Sequence, residues 1–237
     1  MTTNSPAPEP TLGRALFPDL TAQAVVYLNG ASRSALPAPT LAAGLAAMRR
    51  KAATPWDIGA TSTQADAVRA LFARLIGPTA RACDVSLAPS CAYAMSLAAT
   101  NLAHTISGVR REVLVLQDQN PSNVVPWQHM CAERGGKLRV IARPDDHDWA
   151  TAVVAVIRRG SVAVAALPPC HWCDGSLVDL VPIAAACRAA GTALVLDVTQ
   201  YLGGAEPIDY ASLGASFVAC SVHKWVLWPT ALEFIDR

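Results

Sequence analysis

Six short runs of apolar and β-branched residues punctuate the chain: DVSLA from Asp84, EVLVLQ from Glu112, LRVIA from Leu138, VAVAAL from Val162, ALVLD from Ala193 and FVACS from Phe217. None alternates apolar with polar positions, which is the pattern of strands buried on both faces. Longer segments of helical period separate them: Cys91 to His104, Val124 to Arg134, Asp148 to Arg158 and Leu177 to Ala190. Two more, Pro39 to Lys51 and Thr63 to Ile76, precede the first strand. The alternation predicts an α/β fold with a mostly parallel sheet and helices on both sides. Residues 1–25 are Pro-rich and predict a flexible tail. Residues 26–60 are expected outside the sheet domain, which is expected to occupy 61–237. No internal repeat is visible.

Composition narrows the class. Hydrophobic residues make up 52% and charged residues 16% of the 237 positions, so the chain can build a core and is not a disordered one. A formal net charge of +1 gives no electrostatic reason to expect nucleic acid or an anionic membrane as partner. The longest apolar stretch, ATAVVAVIRRGSVAVAALPPC, is cut by Arg158, Arg159 and Gly160, so no membrane span is expected. The first twenty residues lack a basic start followed by an apolar block, so no secretory signal is expected. Seven cysteines scattered along such a chain fit a reducing compartment and free thiols, and the expected location is the cytoplasm. Cys170 and Cys173 form a C-x-x-C in PPCHWCDG. No second C-x-x-C or H-x-H stands at zinc spacing, so no metal site is expected; a redox dithiol is a minor alternative.

The candidate chemistry lies where strands end, because ligands of open α/β sheets bind beyond the carboxyl ends of the strands. Ser90 and Cys91 sit at a strand-to-helix turn whose free N–H groups favour an anion such as phosphate. Asp197 closes the ALVLD run and Gln200 follows three residues later. Ser221, His223 and Lys224 close the last run, in FVACSVHKWVLWP. Lys224 is one of only three lysines, with Lys51 and Lys137, and it follows an apolar run where a charge is costly to bury. A serine before a helix is often a simple cap, and a strand-end Asp is often a turn former. Their convergence on one rim carries the information.

These residues resemble the class V aminotransferase group of fold-type I pyridoxal phosphate (PLP) enzymes, which includes cysteine desulfurases, selenocysteine lyases, kynureninases and isopenicillin-epimerase-like proteins. The resemblance runs from about Val26 (VYLNGAS) to Trp225. It is most specific in LVLDVTQYLGGAEPIDYASLGASFVACSVHKW and PSNVVPW. It implies a three-layer α/β/α large domain of the PLP-dependent transferase type, with the small C-terminal domain missing. It makes Lys224 the Schiff-base lysine, because the cofactor must be held by an amine that forms an imine and later exchanges it. Asp197 then becomes the partner of the pyridine nitrogen, and Gln200 the donor to the ring's phenolic oxygen. Ser90, Cys91, Ser221 and His223 surround the phosphate. Related enzymes set an aromatic or histidine ring over the cofactor where this chain has Asn120 and Pro121. Asn123, His171 and Trp172 are expected on the substrate side. Beyond HKW the family continues with a glycine-rich segment, where this chain has Trp228.

The resemblance implies a PLP-dependent enzyme acting on a small-molecule amino acid, of aminotransferase or C–S lyase type, as a homodimer or self-associating chain. The alternative is a catalytically impaired, truncated remnant of such an enzyme. Trp225, Val226, Leu227, Trp228 and Phe234 are expected to form an exposed apolar patch. Nothing in the residues chooses among transamination, elimination, hydrolysis and racemisation.

Overall fold

A computed structural model describes residues 13–23, 25–57, 61–227 and 233–236. Most of the expected tail, and Trp228, lie outside the described residues. Seven α-helices are described: α1 (Pro18–Thr21), α2 (Ala38–Ala53), α3 (Thr61–Ile76), α4 (Cys91–Leu102), α5 (Val125–Arg134), α6 (Trp149–Ile157) and α7 (Leu180–Ala190). The strands are β1 (Val85–Ala88), β2 (Glu112–Leu116), β3 (Lys137–Ile141), β4 (Val162–Leu167), β5 (Ala193–Asp197), β6 (Phe217–Ser221) and β7 (Glu233–Asp236). They form one sheet in the order β1-β7-β6-β5-β4-β2-β3. Every pair from β6 to β3 is parallel, and β7 runs antiparallel to both β1 and β6.

The six apolar runs are all strands, and the six helical segments are all helices. Local chemistry sets the helix ends. Asp148 and Asp179 cap α6 and α7 by accepting from the backbone N–H of Thr151 and Val181. Gly135 and Gly191 close α5 and α7 at φ 67° and 63°, a left-handed conformation that costs glycine little.

Burial on both faces makes three layers. Leu114 and Leu116 point to a core shared with Phe72 and Ile76 of α3, Trp149 and Ile157 of α6, and Ile183 of α7. Val113 and Val115 point the other way, to Met95 of α4 and Trp127 and Met130 of α5. In β4 the register against β2 shifts at Ala163, where Val113 pairs Val164 rather than the next residue in phase. Ala163 and Val164 therefore both face the α4–α5 core, a bulge that an unbroken apolar run cannot announce.

Two expectations need correction. The LRVIA run predicts a strand buried on both faces, but β3 is an edge strand in which Lys137, Arg139 and Val140 are exposed. An edge has only one covering neighbour, and its charges discourage pairing with another chain; Arg139 is tied to Glu112 of β2. Among the described residues the expected apolar patch at the end of the chain is also not found at Trp225, Val226 and Leu227. Trp225, Val226 and Leu227 are half-buried, and Val226 packs against the core. The segment carrying Phe234 is β7, with backbone pairing on both sides.

Residues 25–57 supply no strand to the sheet, yet they touch its business end. Gln200 donates to the Ala31 carbonyl at 3.0 Å, and the Ser34 hydroxyl donates to the Lys224 carbonyl.

Candidate functional site

Beyond the carboxyl ends of five strands lies a cavity of about 310 Å³. The turn after β1 contributes Ser90 and Cys91, and the loop after β2 contributes Gln119, Asn120 and Asn123. Cys170 and Trp172 come from the loop after β4. Asp197, Thr199 and Gln200 stand at the end of β5, and Ser221, His223 and Lys224 at the end of β6. The parallel register makes this convergence unavoidable. Leu167 pairs with Leu196, and the next residue, Asp197, pairs with Ala219, so the loops leaving the three strands emerge on one rim.

Several of these side chains are held by definable interactions. Ser90 is the N-cap of α4, its hydroxyl accepting from Tyr93 N–H at 3.1 Å, and the first turn of that helix opens on the cavity. Asp197 is buried, and its Oδ1 accepts from Thr199 N–H at 3.1 Å. Among the described residues that is its only hydrogen bond, which leaves the other oxygen for a cationic N–H. Thr199 in turn accepts from Ser221 N–H at 2.9 Å, fixing the ends of β5 and β6 to each other. Gln200 accepts from the Trp225 indole at 2.9 Å and gives one amide hydrogen to Ala31; its second amide hydrogen remains.

Among the described residues two buried side-chain nitrogens have no hydrogen-bond partner, Nδ1 of His223 and Nδ2 of Asn123. Asn123 cannot simply be flipped. Its Oδ1 accepts from the Trp127 indole at 2.9 Å, and an indole only donates, so Nδ2 must be the orphan. An unsatisfied buried donor costs about 1–3 kcal/mol, which a ligand acceptor in the cavity would recover. The His223 pKa lies below its ordinary value, chiefly through burial and secondarily through the charges of Lys224 and Arg33. Lys224 Nζ makes no ion pair among the described residues. A cavity with an amine, a buried carboxylate, a helix amino end and orphaned nitrogens suits an anionic ligand that also carries a carbonyl and a cationic N–H.

All but one of the expected site residues line this cavity. His171 lies behind the wall, fully buried, stacked on Trp149 at 5.6 Å between centroids and bonded to the Gln117 carbonyl at 2.9 Å. Trp172, its neighbour, does reach the rim and donates to the Asp118 carbonyl at 2.7 Å. Gln119 and Thr199 are additions that the sequence patterns do not single out. Gln119 is buried and joins three backbones, accepting from Leu116 N–H and donating to the carbonyls of Asn123 and Ala166, each at 3.0 Å. Thr199 has a signal, a hydroxyl inside D-x-x-Q; Gln119 has none. Among the described residues no three His, Cys, Asp or Glu side chains converge as a metal ion would need.

The aminotransferase class-V family model matches residues 26–231, across every element that builds this cavity. The chain belongs to the class V aminotransferases. A cysteine desulfurase of Klebsiella pneumoniae is 26% identical over 223 residues, which are 89% of this chain and 54% of that one. The chain thus spans about half the length of the curated relatives it matches. The fold matches the cysteine desulfurase CsdA of Escherichia coli with a TM-score of 0.76 and 20% identity, covering 94% of this chain and 56% of the other. A variant of C-DES with glycine covalently linked to its PLP cofactor gives 0.76 at 17% identity, covering 95% and 59%. At such identities the class V fold is what is shared.

Proposed function

We propose that this chain forms the cofactor-binding part of a PLP-dependent enzyme that transforms an amino acid, of aminotransferase or C–S lyase type, working in the cytoplasm. The observation that carries the reading is the single cavity that collects Lys224, buried Asp197 and Gln200 opposite the amino end of α4. Family membership and the PLP carried by a structural relative support it. In this reading residues 61–237 hold the cofactor and 26–60 brace the site from outside.

Bound PLP supplies an electron sink for charge developing at the substrate's Cα. This chain's residues do the rest. Lys224 Nζ would hold the cofactor and would carry the proton to or from Cα. The free oxygen of Asp197 holds a proton on the ring nitrogen, since a buried carboxylate beside that N–H favours its charged form. Gln200 spends its remaining amide hydrogen on the phenolic oxygen. Ser90, the Cys91 N–H, Ser221 and His223 bind the phosphate, with His223 Nδ1 gaining the partner it lacks. Asn120 lines the cavity where relatives carry a stacking ring, and would border the cofactor there. Asn123 and Trp172 face the substrate, and His171 lies behind the wall, packed on Trp149.

A second reading is a cofactor-binding chain without turnover, and one observation favours it. Among the described residues no arginine lines the cavity to pair with a substrate carboxylate. Borohydride reduction of the protein with PLP, followed by peptide mapping, tests the shared premise. We expect one pyridoxyl group, on Lys224; label on Lys51 or Lys137, or none, overturns both readings. Solvent-proton exchange at Cα of added amino acids then separates an enzyme from a binder.

A further inference from the structure

The C-x-x-C of the loop after β4 is not used by the proposed chemistry, yet its Cys170 lines the cavity. We propose that Cys170 and Cys173 are a reversible dithiol–disulfide pair whose state is linked to occupancy of that cavity; the linkage, though not the bridge itself, rests on the cofactor reading above.

The loop is closed on itself. Cys170 bridges Leu177, His171 N–H donates to the Ser176 carbonyl, and Gly175 N–H donates to the His171 carbonyl, both at 2.8 Å. That last bond winds the chain from His171 to Gly175 through one turn, with Cys170 just before it and Cys173 inside it. The two thiols differ as an attacking and a resolving thiol should. Cys173 is exposed, whereas Cys170 is half-buried on the cavity wall, where burial pushes its pKa up. Of the other cysteines, Cys91, Cys131, Cys187 and Cys220 are buried, and exposed Cys83 has no cysteine near it in sequence.

The connection to the cavity runs through one carbonyl. Asp118 C=O accepts the Trp172 indole N–H at 2.7 Å and the Cys173 thiol at 3.6 Å. Asp118 is held at φ 55° and leads directly into Gln119 and Asn120 of the cavity wall. Closing the bridge withdraws the Cys173 donor from that carbonyl and pulls on Trp172, which lies between the two sulfurs in sequence.

With oxidised glutathione as oxidant the step balances. The Cys173 thiolate attacks one glutathione sulfur and expels glutathione thiolate. Cys170, on losing its proton, then attacks Cys173 Sγ, forms the internal S–S bond and expels the second glutathione. Two thiol hydrogens and two electrons leave the protein, and the glutathione disulfide is reduced to two thiols.

The test equilibrates the full chain in a series of reduced and oxidised glutathione buffers, with and without PLP, then alkylates and maps peptides. We expect a Cys170–Cys173 bridge lighter by two hydrogens, and PLP affinities differing by about fivefold or more between the two states. Linkage then requires PLP to shift the dithiol potential by the matching amount, about 20 mV for fivefold in a two-electron couple. Cys173→Ser should abolish the redox dependence of PLP affinity, and Cys83→Ser should preserve it. Alkylation of both thiols at every ratio, or glutathione left on Cys173 without a bridge, overturns the pair. A bridge with equal PLP affinity in both states overturns the linkage. No PLP binding at any ratio refutes the cofactor reading and the linkage together, while the peptide map still decides the bridge.

Discussion

Replacing Gly204 with alanine should damage the site through Trp225 alone. A Cβ at position 204 would lie 2.9 Å from Trp225 Cδ2, 3.0 Å from Cγ and 3.1 Å from Cε3. Carbon atoms rest at about 3.5–4.0 Å, so the indole would have to retreat by about 0.5–1 Å. It has little room. A Cβ built on Gly30 would already lie 3.2 Å from the ring, and the indole N–H is fixed to Gln200. Overpacking of this kind costs about 1–3 kcal/mol. Taking about 2 kcal/mol, a chain of this size should lose about 4–8 °C in Tm. The functional loss should be larger, because Trp225 comes directly after Lys224 and a displacement near 1 Å can cost about a hundredfold where geometry matters. The assay is PLP affinity by absorbance beside thermal unfolding, with Gly44→Ala as control. A Cβ at Gly44 in α2 meets nothing within 4 Å, so that change should be neutral or stabilise by about 0.5–1 kcal/mol. Gly204→Ala with unchanged Tm and PLP affinity would refute the seating of Trp225 between the two glycines.

Three further outcomes are expected. Asp197→Ala should leave the fold intact but abolish exchange of substrate α-protons, because the ring nitrogen loses its counter-charge; exchange at the parental rate would remove Asp197 from that role. His223, whose pKa is lowered by burial and then by Lys224 and Arg33, makes the unfolded chain the better proton binder just below about pH 6.5. Stability should therefore be flat above that pH and decline as pH falls toward the lower folded value, and His223→Gln should flatten the slope. The Glu112 carboxyl, held down chiefly by Arg139 and then by Ser161, adds its own loss only below about pH 4.5; a parental slope in the His223 variant would refute the assignment. Helix α2 buries none of its residues, and Met48 and Trp56 are 71% and 82% exposed, so we expect a homodimer through this apolar face. Sedimentation at micromolar concentration should show a dimer that Met48→Glu dissociates; a clean monomer of the parent chain refutes it.

The strands buried on both faces were legible because such strands need no polar alternation, and Val113 to Leu116 or Val162 to Leu167 leave no other reading at their length. The edge position of β3 was not, because an apolar run does not say how many neighbours cover it. Its Lys137 and Arg139 were the available clue. Strand β7 was hidden for a different reason. EFID is four residues long with a charge at each end, and only pairing with β1 and β6 on both sides makes it a strand.

The site divides along the same line. Lys224, Asp197, Gln200 and Ser90 were legible because each closes a strand or caps a helix, so a local pattern places each on the rim. Gln119 was not, because its amide serves the backbones of Leu116, Asn123 and Ala166, and Ala166 is far off in sequence. Nor was the reason for Gly203 and Gly204, which lies with Trp225 more than twenty residues on. His171 misled for a related reason: in a loop beside the cavity, the stack on Trp149 and the bond to the Gln117 carbonyl decide which way its ring turns. Residues that line the cavity are placed by where strands stop. Residues that hold them are placed by contacts between loops, and Gly203 and Gly204 show how exacting such a contact can be: a Cβ on either would lie 2.9 Å from an atom of Trp225.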